Sequence, residues 1–186
     1  MDRIATIVVT AAAAAFLAAA CAAPPPEPEP AADSTVVSDA VRQAWEGAER
    51  NISESAQLME EADYAFTPVD GVRSFGAILA HIAGANYVFC SAARGEEAPH
   101  AEGDFEQTTN RDEIIAVLTE SLAYCAEAYA AATDASLAET IALPFGGGDG
   151  SRAMALIGNT GHLNEHYGNL VTYFRIKGIV PPSSRG

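Results

Sequence analysis

From Ser38 to Lys177, apolar residues return every third or fourth position in four separate stretches, and nowhere do they alternate convincingly as a strand requires. A helix that is apolar along one stripe must bury that stripe against another element, so four such stretches of about 20 residues each predict an all-α, up-down four-helix bundle. The first stretch runs from about Ser38 to Ala62, with Val41, Trp45, Ala48, Ile52, Ala56 and Met59 on one face. The second starts at the N-cap Ser74 and runs to Arg94 before Gly95, with Phe75, Ile78, Leu79, Ile82 and Phe89 as its stripe. The third begins at Asn110, with Glu113 placed as in a capping box, and continues through Ile115, Leu118, Leu122, Cys125 and Tyr129. The fourth spans about Ser151 to Lys177 and is stopped by Gly178 and Pro181-Pro182.

The fourth stretch carries two stripes. Leu156, Leu163, Leu170 and Phe174 form the core face, and Ala155, Gly158, Gly161, His162, His166, Asn169 and Tyr173 lie beside it. Glycine costs a helix about 1 kcal/mol relative to alanine, so Gly158 and Gly161 predict a close approach by another helix or a ligand. The run from Gly146 to Gly150 lacks the strand and the lysine of a phosphate loop and reads as a flap or a plain turn.

Residues 1–20 are of another character. Arg3 is followed by an uncharged, alanine-rich run from Ile4 to Ala20, too weakly apolar for a membrane span and suited to a signal peptide. Leu17 to Cys21 is similar to a lipoprotein signal, which would make Cys21 an acylated first residue; the alternative is ordinary cleavage with Cys21 incidental. Residues 21–37 contain the proline-rich acidic segment APPPEPEP, an extended tether for a domain at 38–186. The expected location is therefore the cell envelope, facing the periplasm or exterior, with membrane attachment only through the lipid. No stretch after residue 32 is expected to cross a bilayer.

Charge excludes one class of partner. With 25 acidic against 10 basic residues and a net charge of −15, the chain repels phosphate backbones, so no nucleic acid is expected. The expected partner is a small-molecule substrate, its identity open, and a homodimer is open as well.

His162 and His166 sit four residues apart, on one helix face, where both imidazoles can bind a single cation. A bundle site draws its remaining ligand from a facing helix, and His81, at the margin of the second stripe, is the candidate. His100 lies in a polar loop and is the bystander. The segment His162-Leu163-Asn164-Glu165-His166 also fits the inverted zinc-protease pattern, but no suitable acidic ligand follows it, so that reading fails.

Several short motifs stand in order: Tyr64-Ala65-Phe66-Thr67-Pro68, Val72 to Phe75 leading into Leu79-Ala80-His81, Gly161 to His166, and the closing Tyr173 to Pro182. With these the chain resembles the DinB/YfiT-like superfamily of metalloenzymes over about residues 38 to 184. The resemblance implies a histidine triad, His81, His162 and His166, at the mouth of the bundle, holding a divalent metal ion, zinc or nickel. It implies a metal-dependent hydrolase or transferase, or else a non-catalytic metal-binding or scaffold lipoprotein. Some relatives use low-molecular-weight thiols, and those are cytosolic, whereas this chain begins with an export signal. Glu165, Asn164, Asn169 and Tyr173 lie near the pair by helical spacing and receive no catalytic role.

Cys90 ends the second helix and Cys125 lies on the stripe of the third. If those helices are antiparallel neighbours, an oxidising compartment would let the two bond; the alternative is two buried free thiols.

Overall fold

The structure, a computed structural model, describes residues 34–185. The expected signal peptide at 1–20, the expected acylation site at Cys21 and most of the expected tether at 21–37 lie outside the described residues. Four long helices dominate: α1 (Val36–Leu58), α2 (Phe75–Arg94), α3 (Arg111–Ala131) and, after one helical turn α4 (Asp134–Leu137) and a hairpin, α5 (Arg152–Ile176). The Ser74 side chain accepts from the Ala77 N–H and Asn110 from the Glu113 N–H, so α2 and α3 begin where their caps predict. Gly95 ends α2 at φ +73, a conformation that costs other residues a steric penalty. The first helix stops earlier than its pattern suggested, because Met59 turns to extended backbone and a 3₁₀ turn, Glu61–Asp63, follows.

The expected four-helix bundle is present. Round the bundle, α1 touches α3 and α5, and α2 touches the same two. α1 and α3 are antiparallel, since Arg111 at the start of α3 reaches the Gln57 carbonyl near the end of α1. α2 and α3, however, run parallel: Asn86 pairs with Ser121, Cys90 with Cys125 and Arg94 with Glu127, all in ascending order. α5 is antiparallel to α2, with Phe75 against Phe174 and Asn86 bonded to Asn159. The helices therefore run up, down, down, up. Alternation is broken between α2 and α3 because residues 95–110 return along the whole length of α2. A 20-residue helix is about 30 Å long, and an extended segment of about 3.3 Å per residue spans that with slack.

This return segment lies directly on α2. A Cβ at Gly84 would collide with the Glu102 carbonyl oxygen and lie 2.7 Å from the carbonyl carbon, so only glycine admits the crossing. Phe105 and His100 pack on Tyr87, with ring centroids 6.1 and 4.9 Å away.

The core holds Trp45, Ile52 and Met59 from α1 and its end, Phe75, Leu79 and Ile82 from α2, and Leu156, Leu163, Leu170 and Phe174 from α5, as the stripes predict. On α3, Ile114 is buried in place of Ile115, one position earlier than the pattern indicated. By length and apolar character α2 and α3 would both pass for membrane spans, contrary to the expectation for residues after 32. The bundle accounts for α2, 78% of whose apolar window is buried inside the fold; for α3 the share is 39%. Two short strands, β1 (Thr140–Ala142) and β2 (Asp149–Ser151), pair antiparallel with Ile141 opposite Gly150. They were missed because three residues are too few to show alternation. Gly146 to Gly148 of the glycine run lie between them, at the hairpin tip, and Asp149 and Gly150 belong to β2.

Candidate metal centre

Antiparallel packing of α2 on α5 brings His81 opposite His162 and His166. The Nε2 atom of His162 lies 3.1 Å from Nε2 of His81 and 3.1 Å from Nε2 of His166. His81 and His166 are buried, and the ligand nitrogens of all three lie within 4.8 Å of one another, forming a group that could hold a metal ion. One neutral nitrogen carries at most one proton, so His162 Nε2 cannot donate to both neighbours. Tetrahedral zinc at about 2.0–2.1 Å from nitrogen places its ligands about 3.3 Å apart, so the observed spacing fits a shared cation.

Electrostatics keep these rings in the ligand form. Burial pushes His162 down to about 3, and the charges of His166, His81 and Arg73 act in the same direction. Burial likewise takes His166 down to about 4, aided by His81 and Arg73 and opposed by Glu165. His81 is lowered by burial and by Arg73, with Glu102 and Glu106 opposing. Neutral imidazole is what a divalent ion requires.

The outer nitrogens differ. His166 Nδ1 is 3.3 Å from the Asn169 side-chain amide. The Nδ1 atoms of His81 and His162 are buried without a hydrogen-bond partner among the described residues. Glu106 and Glu102 hold carboxylate oxygens 3.6 and 3.7 Å from His81 Nδ1. Beneath the triad, a buried polar chain ties three helices together. Asn86 donates to Ser121 and accepts from Asn159, while Tyr129 OH donates to the Leu156 carbonyl and touches Thr160.

A cavity of about 530 Å³ opens beside His166, lined by Arg73, Ile78, Asn169, Thr172 and Tyr173 among others. The Tyr173 hydroxyl donates to the Arg73 carbonyl and fixes that wall. On the other side, the Phe89 ring stands 5.8 Å from that of His162 and 4.9 Å from Phe145 of the hairpin tip. Of the two helical glycines expected to mark a close approach, Gly158 does, since a Cβ there would sit 3.1 Å from Phe89. Gly161 faces open space, because it lies on the exposed side of α5.

His100 stays outside the cluster, on Tyr87 and 3.6 Å from Asp104. Asn164 and Glu165 are exposed on α5. The structure joins Cys90 and Cys125 as a disulfide with Cα atoms 5.3 Å apart, between helices that run parallel. Sequence reasoning missed Arg73, Glu102 and Glu106. The first was read only as part of a motif and the other two as an ordinary polar loop.

The DinB superfamily model matches residues 44–170. Among solved structures, a DinB-like protein from Bacillus cereus ATCC 10987 aligns with a TM-score of 0.65 at 18% identity, over 77% of this chain and 95% of that one. YfiT from Bacillus subtilis, a probable metal-dependent hydrolase with an unusual four-helix bundle topology, aligns at 0.59 and 16% identity, over 82% and 94%. A mycothiol-dependent maleylpyruvate isomerase aligns at 0.60 and 16% identity, over 74% of this chain but 63% of the isomerase. No curated protein matches the chain. At these identities the likeness to the solved structures is one of fold.

Proposed function

The chain belongs to the DinB superfamily, and we propose that it is a divalent-metal protein in which His81, His162 and His166 hold zinc or nickel. We assign it to the metal-dependent hydrolases or transferases acting on a small molecule. The observation that carries this reading is the convergence of three Nε2 atoms, with two neighbouring separations of 3.1 Å, in a site that keeps its imidazoles neutral.

A three-histidine site leaves a coordination position open, and a divalent cation there supplies Lewis-acid polarisation of a substrate carbonyl or phosphoryl group. The chain's own residues do the rest. The cavity beside His166 admits a small molecule, with Ile78 on its apolar side and Arg73, Asn169 and Thr172 on its polar side. Arg73 is the cationic group there and would orient an electron-rich substituent. Phe89 stands against the opposite flank of His162, with Phe145 packed on it.

The same reading places the protein in the cell envelope, held by an acyl chain on Cys21 and a proline-rich tether. The Cys90–Cys125 disulfide supports this placement, since such bonds persist in oxidising compartments. A non-catalytic metal-binding role shares every feature of the site except turnover.

Elemental analysis of untagged protein tests the metal, with about one equivalent expected for a site of three ligands. Hydrolytic and thiol-transfer substrates, offered to metal-loaded and chelator-treated protein side by side, then test catalysis. Metal-dependent turnover of a member of either class supports the enzyme. Full metal occupancy with equal rates in both preparations across both panels would leave only the non-catalytic role.

A further inference from the structure

We propose that Glu102 and Glu106 are positioning residues for the metal centre, which the return segment delivers to the outer nitrogen of His81. The inference rests on the three-histidine reading above.

His81 is 7% exposed, and its Nδ1 is buried without a hydrogen-bond partner among the described residues. When Nε2 offers its lone pair to a cation, the ring proton must sit on Nδ1, and a buried N–H needs an acceptor. Two carboxylate oxygens flank that atom, at 3.6 Å from Glu106 and 3.7 Å from Glu102. Both distances exceed a hydrogen bond by less than an ångström, within reach of a small side-chain rotation. Carboxylates behind a ligating histidine fix its tautomer and orientation and raise its basicity.

The rest of the fold brings them there. Because α2 and α3 are parallel, the chain must travel back along α2, and Gly84 lets the backbone of Glu102 lie against the helix three residues beyond His81. Phe105 on Tyr87 holds the segment down. Arg73 holds Glu106 from the other side at 3.2 Å, through the same oxygen that faces His81. The carboxylates also offset charge, since three neutral imidazoles leave a divalent ion uncompensated.

The test is zinc affinity, measured by competition with a chromophoric chelator, for the full exported domain and for Glu102→Gln, Glu106→Gln and the double variant. Each single change should weaken binding at least about fivefold, and the double change about 10- to 100-fold. The apo protein should melt within about 2 °C of wild type, since both side chains are surface groups. Glu165→Gln removes an equal charge beside His166 without facing His81 Nδ1, and should cost less than about threefold. A double variant that loses less than about fivefold overturns the proposal. So does an equal loss in Glu165→Gln, which would make the effect one of charge alone, or a matching fall in apo stability, which would make it structural. If the wild type itself binds no zinc, nickel or manganese, the three-histidine reading fails first and takes this inference with it.

Discussion

Replacing Cys90 and Cys125 together by alanine should destabilise the domain by about 4 kcal/mol. The bond joins residues 35 apart in sequence, and cross-linking a loop of that size removes close to 13 cal/mol/K of chain entropy from the unfolded state. At 298 K that is about 3.8 kcal/mol, and for a domain of this size it lowers Tm by about 8–15 °C. The retained Asn86–Ser121 and Arg94–Glu127 pairs keep the two helices in register, so the loss of two buried sulfur atoms adds only a small cavity cost to the entropic one. Urea unfolding of oxidised, reduced and double-alanine protein gives the measurement. The reduced and double-alanine forms should share a lower midpoint, with an equal or larger m because their unfolded chains are less constrained. Unfolding free energies agreeing to within about 0.5 kcal/mol in all three would refute the reasoning, as would two alkylatable thiols in unreduced, unfolded protein.

Gly84→Ala should cost about 1–3 kcal/mol by overpacking against the Glu102 backbone, and it should weaken zinc binding as the return segment lifts from His81; denaturation and competition titration check both. Apo protein should lose stability as pH falls below about 6.5, because the unfolded chain protonates imidazoles that the folded site holds neutral down to about 3 and 4. Between pH 7.5 and 5.0 two such rings bound the loss at about 4 kcal/mol, and solvent screening cuts it to about half; a midpoint flat over that range would contradict the burial of neutral rings. Cys21→Ser should abolish labelling by a fatty-acid probe and release the protein from envelope membranes, whereas a wild type found soluble with an intact N-terminus would remove the lipoprotein assignment.

The four-helix bundle was legible because helical burial is periodic and local. Val41 to Met59 and Leu156 to Phe174 declare their buried faces without reference to anything distant. The His162–His166 pair was legible for the same reason, and His81 joined it as the one other histidine within a helical stretch. What the pattern could not carry was direction. Nothing local tells whether residues 95–110 turn back at once or travel the length of α2, so the parallel packing of α2 on α3 was hidden. Glu102 and Glu106 were hidden with it, since their meeting with His81 depends on a non-local crossing at Gly84. The hairpin escaped because Thr140 to Ala142 is shorter than any alternation that could announce it.

The most direct test of the central claim is the zinc stoichiometry of untagged wild-type protein beside its single alanine variants at His81, His162, His166 and His100. The wild type and His100→Ala should each bind about one equivalent and melt higher with metal than after chelation, because a cation bound only by the folded bundle stabilises it. Each of the other three variants should lose most of its zinc and most of that thermal shift. Near-stoichiometric zinc retained by His81→Ala, His162→Ala and His166→Ala alike, or less than about a tenth of an equivalent on a wild type offered zinc, nickel and manganese in turn, would contradict it.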